Sequence, residues 1–262
     1  MKTVLKLLGY ELRNVIRSRW VIIYAVLFLL LTDALFRFGG SGSRVILSLT
    51  NVVLALIPLV SIVFGTMSLY HAREFIELML AQPVSRRALF VGLYGGLAIP
   101  LAGAFVLGVG IPFAYHNAIL GQEAGFAILL GTGILLTFVF TALAFMVALR
   151  FQDRAVGLGA AIVIWLFATV LYDGLLLLGI ALLHDYPLEG PVLGATLLNP
   201  VDLARVLLLL QFDMSALMGY TGAVFERFFG NRTGTLVSLV ALTLWSILPL
   251  LAGMRRFRSK DF

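Results

Sequence analysis

Apolar residues run along this chain in six long, nearly unbroken stretches, without the alternation of a half-buried strand or the one-sided stripe of a soluble helix. The stretches are Trp20–Phe36, Val45–Tyr70, Ala88–Tyr115, Ala124–Leu149, Ala155–Leu183 and Leu236–Met254. A helix rises about 1.5 Å per residue, so each stretch is long enough to cross a hydrocarbon layer of about 30 Å. Pro58, Pro100, Pro112 and Pro249 fall inside the stretches, where membrane helices accept them if neighbours satisfy the freed carbonyl. The pattern predicts an all-α membrane protein with six transmembrane helices, forming a single domain over residues 1–262.

Three pieces do not span. In the arm 1–19, Leu5, Leu8, Leu12 and Val15 recur at helical spacing opposite Lys2, Lys6, Arg13 and Arg17, which predicts an N-terminal interfacial helix. The loop 71–87 predicts a short amphipathic helix. Arg73 and Glu77 lie four apart, Phe75, Ile76, Met79 and Leu80 offer apolar contacts, Pro83 stops the helix, and Ser85 caps the next span. Such a helix suits docking onto a soluble partner, although a solvated connector would carry the same residues. The segment 184–233 is long for a loop. Within it, Asn199 fits an N-cap, Pro200 the first helical position and Asp202 the first turn, so a short helix lies at the outer face or dips into it. Capping and direct substrate contact both remain open roles for Asn199.

Composition sharpens this picture. Hydrophobic residues make up 61% of the 262 and charged residues 12%, about half the charged share of a soluble domain. The net charge of +6 sits at the ends of apolar stretches, where topology requires it, and so indicates no nucleic-acid partner. No apolar stretch near the start ends in a small-residue cleavage site, so a cleaved leader is not expected. Of the lysines and arginines, 14 fall on the side of the two termini and the 71–87 loop and 5 on the other. Because the cytoplasm takes the positive side, the prediction is N-in and C-in, in the cell (inner) membrane.

Candidate chemistry is sparse. There is no cysteine, and the only lysines are Lys2, Lys6 and Lys260, so no phosphate-binding Gly-Lys-Ser/Thr loop exists. Hydrolysis of ATP, if it drives this protein, belongs to another chain. An integral membrane enzyme would need converging acids or histidines, and those present are scattered. Asp33 and Asp173 interrupt apolar stretches; Asp33 has Arg37 one turn away, while Asp173 lies deeper and must face a partner or a polar path. Whether Asp173 lines that path or makes a structural bond is open. Met214 and Met218 are four apart and form a weak candidate for thioether metal ligation, against ordinary packing.

With this topology, the chain resembles the membrane subunits of type-2 ABC transporters over essentially its whole length. The resemblance rests on the arm, the six spans and the loop that reads Arg73-Glu74-Phe75-Ile76-Glu77-Leu78, then Gln82-Pro83-Val84-Ser85-Arg86. It implies that these residues (Arg73, Glu74, Glu77, Leu78, Gln82, Pro83, Ser85 and Arg86) couple the permease to a separate cytoplasmic ATPase. Within the family, Tyr172-Asp173 and Leu197-Leu198-Asn199-Pro200-x-Asp202-x-x-Arg205 are similar to the NosY type, the permeases of nitrous-oxide-reductase maturation. That similarity implies a homodimer with a NosF-type ATPase subunit and a periplasmic repeat protein of the NosD type, supporting assembly of a copper–sulfur cluster. No cofactor is expected on this chain; ATP and magnesium would sit on the ATPase. The loop is less acidic than in many relatives, with His71-Ala72-Arg73 where further acids and glycines are common. A type-2 exporter of a drug, lipid or other small molecule is the alternative.

Overall fold

The computed structural model describes residues 9, 12, 15, 18–39, 42–82, 84–183, 189–210 and 219–259. All regular structure among them is helical. In chain order the helices are α1 (Arg19–Gly39), α2 (Gly42–His71), α3 (Arg73–Leu80), α4 (Arg86–Tyr115), α5 (Glu123–Arg150), α6 (Arg154–Leu166), a π turn (Phe167–Leu171), α7 (Tyr172–Leu182), α8 (Glu189–Leu198), α9 (Pro200–Leu210) and α10 (Gly219–Ser259). Among the described residues, six segments are long and apolar enough to cross a membrane: Arg19–Gly39, Arg44–His71, Arg86–Tyr115, Glu123–Arg150, Arg154–Leu182 and Thr233–Ser259. The six expected spans are therefore present, the fifth being α6, the π turn and α7 in one rod.

Helix α5 forms the middle of the bundle and packs on α2, α10 and α4. Its residues Leu136, Val139, Phe140 and Phe145 are fully or almost fully buried, and Phe145 meets the rings of Phe90 and Tyr94 edge-on. Helix α1 crosses α4 closely. A Cβ on Gly108 would lie 2.7 Å from the Ala25 carbonyl oxygen, so only glycine lets these backbones approach so far. The rings of Tyr24, Phe28 and Phe105 continue this contact as two edge-to-face pairs. Hydroxyls within the spans bond back to their own helices, as Thr50 does to Ile46 O, Thr66 to Ile62 O and Thr137 to Gly133 O. By contrast, α1 turns Ile22, Ile23 and Leu30 outward, and the fifth span turns out Val163, Val170, Leu175 and Leu177. Exposed apolar side chains on span-length helices are faces for lipid or for another membrane helix.

Two elements differ from the sequence reading. The last helix is 41 residues long, starting at Gly219, so Arg227 and Arg232 lie in a helix where a loop was expected. No proline interrupts residues 219–248, and the polar residues there are compatible with a helix even though they cannot sit in hydrocarbon. Before it, where one short outer helix was expected, the described residues form two, α8 and α9, bent by 109° at Asn199. In the arm, Gly9, Leu12 and Val15 are helical, while Lys2, Lys6, Arg13 and Arg17 lie outside the described residues.

Candidate functional site

The sequence-predicted residues gather at two places. At one end of the bundle, α2 finishes at His71 and the chain turns through Ala72 into α3. Ile76 is fully buried, and Phe75, Met79 and Leu80 pack partly against the core, whereas Glu74, Glu77 and Leu78 face outward, Leu78 at 67% exposure. A one-sided helix of this kind is held by its apolar stripe and offers its other face. Arg73 and Glu77 share one helix, but the Arg73 guanidinium stacks 4.6 Å from the Tyr70 ring centroid and donates to the Phe151 carbonyl at 3.3 Å. Gln82 is exposed in the turn after α3, and Pro83 lies outside the described residues. The Ser85 hydroxyl accepts from the Ala88 N–H at 3.3 Å, capping α4 as expected. Arg86 donates to the Arg258 carbonyl at 3.0 Å and so serves an orphan acceptor at the end of α10. At the same end, a cavity of about 500 Å³ is lined by Leu149, Arg150, Gln152, Arg256 and Ser259.

The second place lies deep between the fifth and sixth spans. Pro200 has no N–H and disfavours a helical Asn199 before it, so α8 ends there and α9 starts afresh. Asn199 serves both helices: its Oδ1 accepts from the Val201 N–H at 3.0 Å, and its Nδ2 donates to the Ala168 carbonyl at 2.8 Å. Ala168 belongs to the π turn, where wider spacing between bonded residues leaves a carbonyl for an outside donor. The last carbonyls of α8 would be costly if left bare. Tyr172 donates its hydroxyl to Ala195 O at 2.6 Å, and the Trp245 indole N–H donates to Leu197 O at 3.1 Å.

These partners fix the depth of the bend. Ala168 is 14 residues from either end of the fifth span, and Trp245 is close to the middle of the sixth. The bend at Asn199 therefore sits near half depth, and α8 and α9 form a re-entrant wedge entering from the end opposite α3. One turn toward that entrance, Arg205 on α9 lies 2.5 Å from Asp173 Oδ2 on α7 and 3.2 Å from Asp202 Oδ1. One guanidinium thus serves two carboxylates, of which Asp202 is buried. The structure brings Asp173 of the fifth span to Asn199, Asp202 and Arg205, which the sequence placed together on the outer segment.

Asp33 stands apart, at the far end of α1. Arg37 Nε lies 2.8 Å from its Oδ2, as the spacing predicts. Its Oδ1 also accepts from the Tyr115 hydroxyl and lies 3.3 Å from His116 Nε2, two partners at the end of α4 that no periodicity connects to it. His116 stacks on Phe36 with ring centroids 4.5 Å apart. Met214, Met218, His184 and Lys260 lie outside the described residues, and among the described ones no three His, Cys, Asp or Glu side chains are placed to hold a metal.

A bundle of six apolar helices of spanning length with a polar re-entrant wedge defines a multi-pass membrane protein. Residues 5–262 match the profile of the ABC-2 family transporter protein, and the chain belongs to that family. Among curated relatives it is similar to the probable ABC transporter permease protein NosY of Pseudomonas aeruginosa, 28% identical over 264 residues that cover 93% of this chain and 91% of the relative. The protein of the same name from Stutzerimonas stutzeri is 25% identical over 233 residues, covering 82% of this chain and 84% of its own. The chain is thus a NosY-like ABC permease subunit, and such a subunit works with an ATPase.

Proposed function

We propose that this permease couples ATP hydrolysis on a separate, NosF-type ATPase to movement of the α8–α9 wedge, in support of copper–sulfur cluster assembly in nitrous-oxide reductase. The observation that carries the reading is α3, whose apolar stripe is anchored through Ile76 while Glu74, Glu77 and Leu78 stay outward. In this reading α3 docks in a groove of the ATPase, with ATP and magnesium held there, and Gln82 through Arg86 fix its exit into the third span. The α3 end and both termini face the cytoplasm in this reading, which the excess of arginines there supports. The wedge and the long N-terminal part of α10 then face the periplasm, toward a repeat protein of the NosD type. Two copies of the chain form the working unit through outward apolar faces. The wedge moves as a piece, and Asp173 and Arg205 hold its resting position. No step of transport through the bundle is required; the cargo of the system is handled by its partners.

Replacing Glu77 and Leu78 together by alanine tests this directly. The double variant should insert normally yet lose the co-purifying ATPase and the reductase's cluster. Full ATPase binding and wild-type cluster content would rule out α3 as the docking element.

A further inference from the structure

A displacement of α3 has the length of the bundle to travel before it reaches the wedge at the opposite end. Most of the fifth span is exposed along its length, so few contacts fix it. Ala161 is fully buried, and toward α2 the Trp165 indole N–H donates to the Ala55 carbonyl at 3.0 Å. Toward the wedge the contacts are the bonds of Ala168, Tyr172 and Asp173.

The start of the span is held differently. Tyr70, in the last turn of α2 and only 7% exposed, donates its hydroxyl to the Phe151 carbonyl at 3.0 Å, with the Asp153 carbonyl at 3.2 Å. Asp153 is the N-cap of α6, accepting from Ala155 N at 2.7 Å and Val156 N at 3.2 Å, and its carbonyl accepts from Gly157 N at 3.0 Å. The tyrosine therefore grips the residues that begin the helix. It fits only because residue 157 lacks a side chain: a Cβ there would lie 1.9 Å from the Tyr70 oxygen and 2.8 Å from its Cζ. Two positions further along the same helix, a Cβ on Gly159 would meet nothing within 4 Å. Over the ring itself sits Arg73, the first residue of α3, which shares the Phe151 carbonyl with Tyr70.

We propose that Tyr70 and Gly157 form the joint through which movement of α3 enters the fifth span, with Gly157 as a positioning residue for coupling. This rests on the reading of α3 as the ATPase-docking helix. A push on α3 bears on the Tyr70 ring through Arg73, passes to the cap of α6, and tilts a span otherwise held mainly at its middle. The wedge, bonded to the π turn and to α7, follows.

The native chain has no cysteine, so Gly190→Cys on the exposed start of α8 supplies a single reporter for a membrane-impermeant maleimide. The complex with its ATPase is labelled without nucleotide and with MgATP plus vanadate. In the parent and in Gly159→Ala, nucleotide should change the labelling rate several-fold. In Gly157→Ala that change should be lost while the ATPase still co-purifies. Tyr70→Phe adds no volume and removes only the hydroxyl bonds, so it should weaken the response even if Gly157→Ala folds poorly. A full response in Tyr70→Phe and in any folded Gly157→Ala overturns the joint, and a parent reporter indifferent to nucleotide overturns joint and coupling alike. If Glu77→Ala with Leu78→Ala keeps full ATPase binding and wild-type cluster content while Gly157→Ala still silences the reporter, α3 is not the docking helix, and Tyr70 and Gly157 pass on movement that enters the bundle elsewhere.

Discussion

Arg205 NH1 lies 2.5 Å from Asp173 Oδ2, an ion pair across 32 residues of sequence that fastens α9 to the fifth span just beyond its π turn. Because Arg205 also faces Asp202, it is the residue whose loss leaves two acids without their cation. Arg205→Ala should cost more than Asp173→Asn, with the former reaching about 1.5–3 kcal/mol, the usual worth of hydrogen bonds to charged groups. Thermal unfolding of the purified protein in detergent provides the ranking. Wild-type melting temperatures in both variants would show that the pair does not hold the wedge.

Asn199 has two bonds that substitution can separate. Asn199→Ala removes both, and loss of the cap alone costs about 0.5–2 kcal/mol. Asn199→Asp keeps the cap acceptor for Val201 but loses the donor to Ala168 O and sets a carboxylate against a carbonyl. Asn199→Asp should therefore be at least as damaging as Asn199→Ala, measured by the same melting experiment. If it behaves as wild type, the contact with Ala168 carries no energy and the cap is all that matters.

Close approach of α1 and α4 predicts a glycine contrast. Gly108→Ala would drive its Cβ against backbone that cannot move aside, whereas at Gly110 a Cβ meets nothing within 4 Å. Gly108→Ala should lose about 1–3 kcal/mol, the common range for overpacking, and Gly110→Ala almost none. Comparable stability in the two variants would mean that the helices separate without cost.

Orientation is open to thiol labelling in spheroplasts. Ser85→Cys, beside α3, should be protected from an impermeant reagent, and Gly190→Cys, at the entrance of the wedge, should react. The reverse pattern would place α3 outside and end the docking proposal.

How much of this was legible beforehand depends on the range of the interaction. The spans are local facts of hydropathy. The caps at Ser85 and Asn199 follow from residue type and the residues just after them. Arg37 lies within one turn of Asp33, so that pair could be read directly. Helix α8 was not legible, because Gly190, Pro191 and Gly194 have poor helix propensity and the segment forms only against Tyr172 and Trp245. Arg205 was singled out, but the sequence does not bring it to Asp173. The grip of Tyr70 on Phe151 spans 81 residues and is invisible to any periodicity. The coupling role assigned to 71–87 came from resemblance, since the residues alone describe an amphipathic connector equally well.

The π turn at Phe167–Leu171 sets the azimuth of everything that follows it. Successive residues of an α-helix are offset by about 100°, and a π turn accommodates one residue more than an α turn does. If the same sequence were threaded as an uninterrupted α-helix, residues beyond Leu171 would be rotated by about 100° around the axis. Asp173 would then swing away from Arg205, and Tyr172 from the carbonyl of Ala195. A change in backbone pairing over five residues is thus enough to take two of the wedge's anchors out of register at once, with no change in the rest of the bundle.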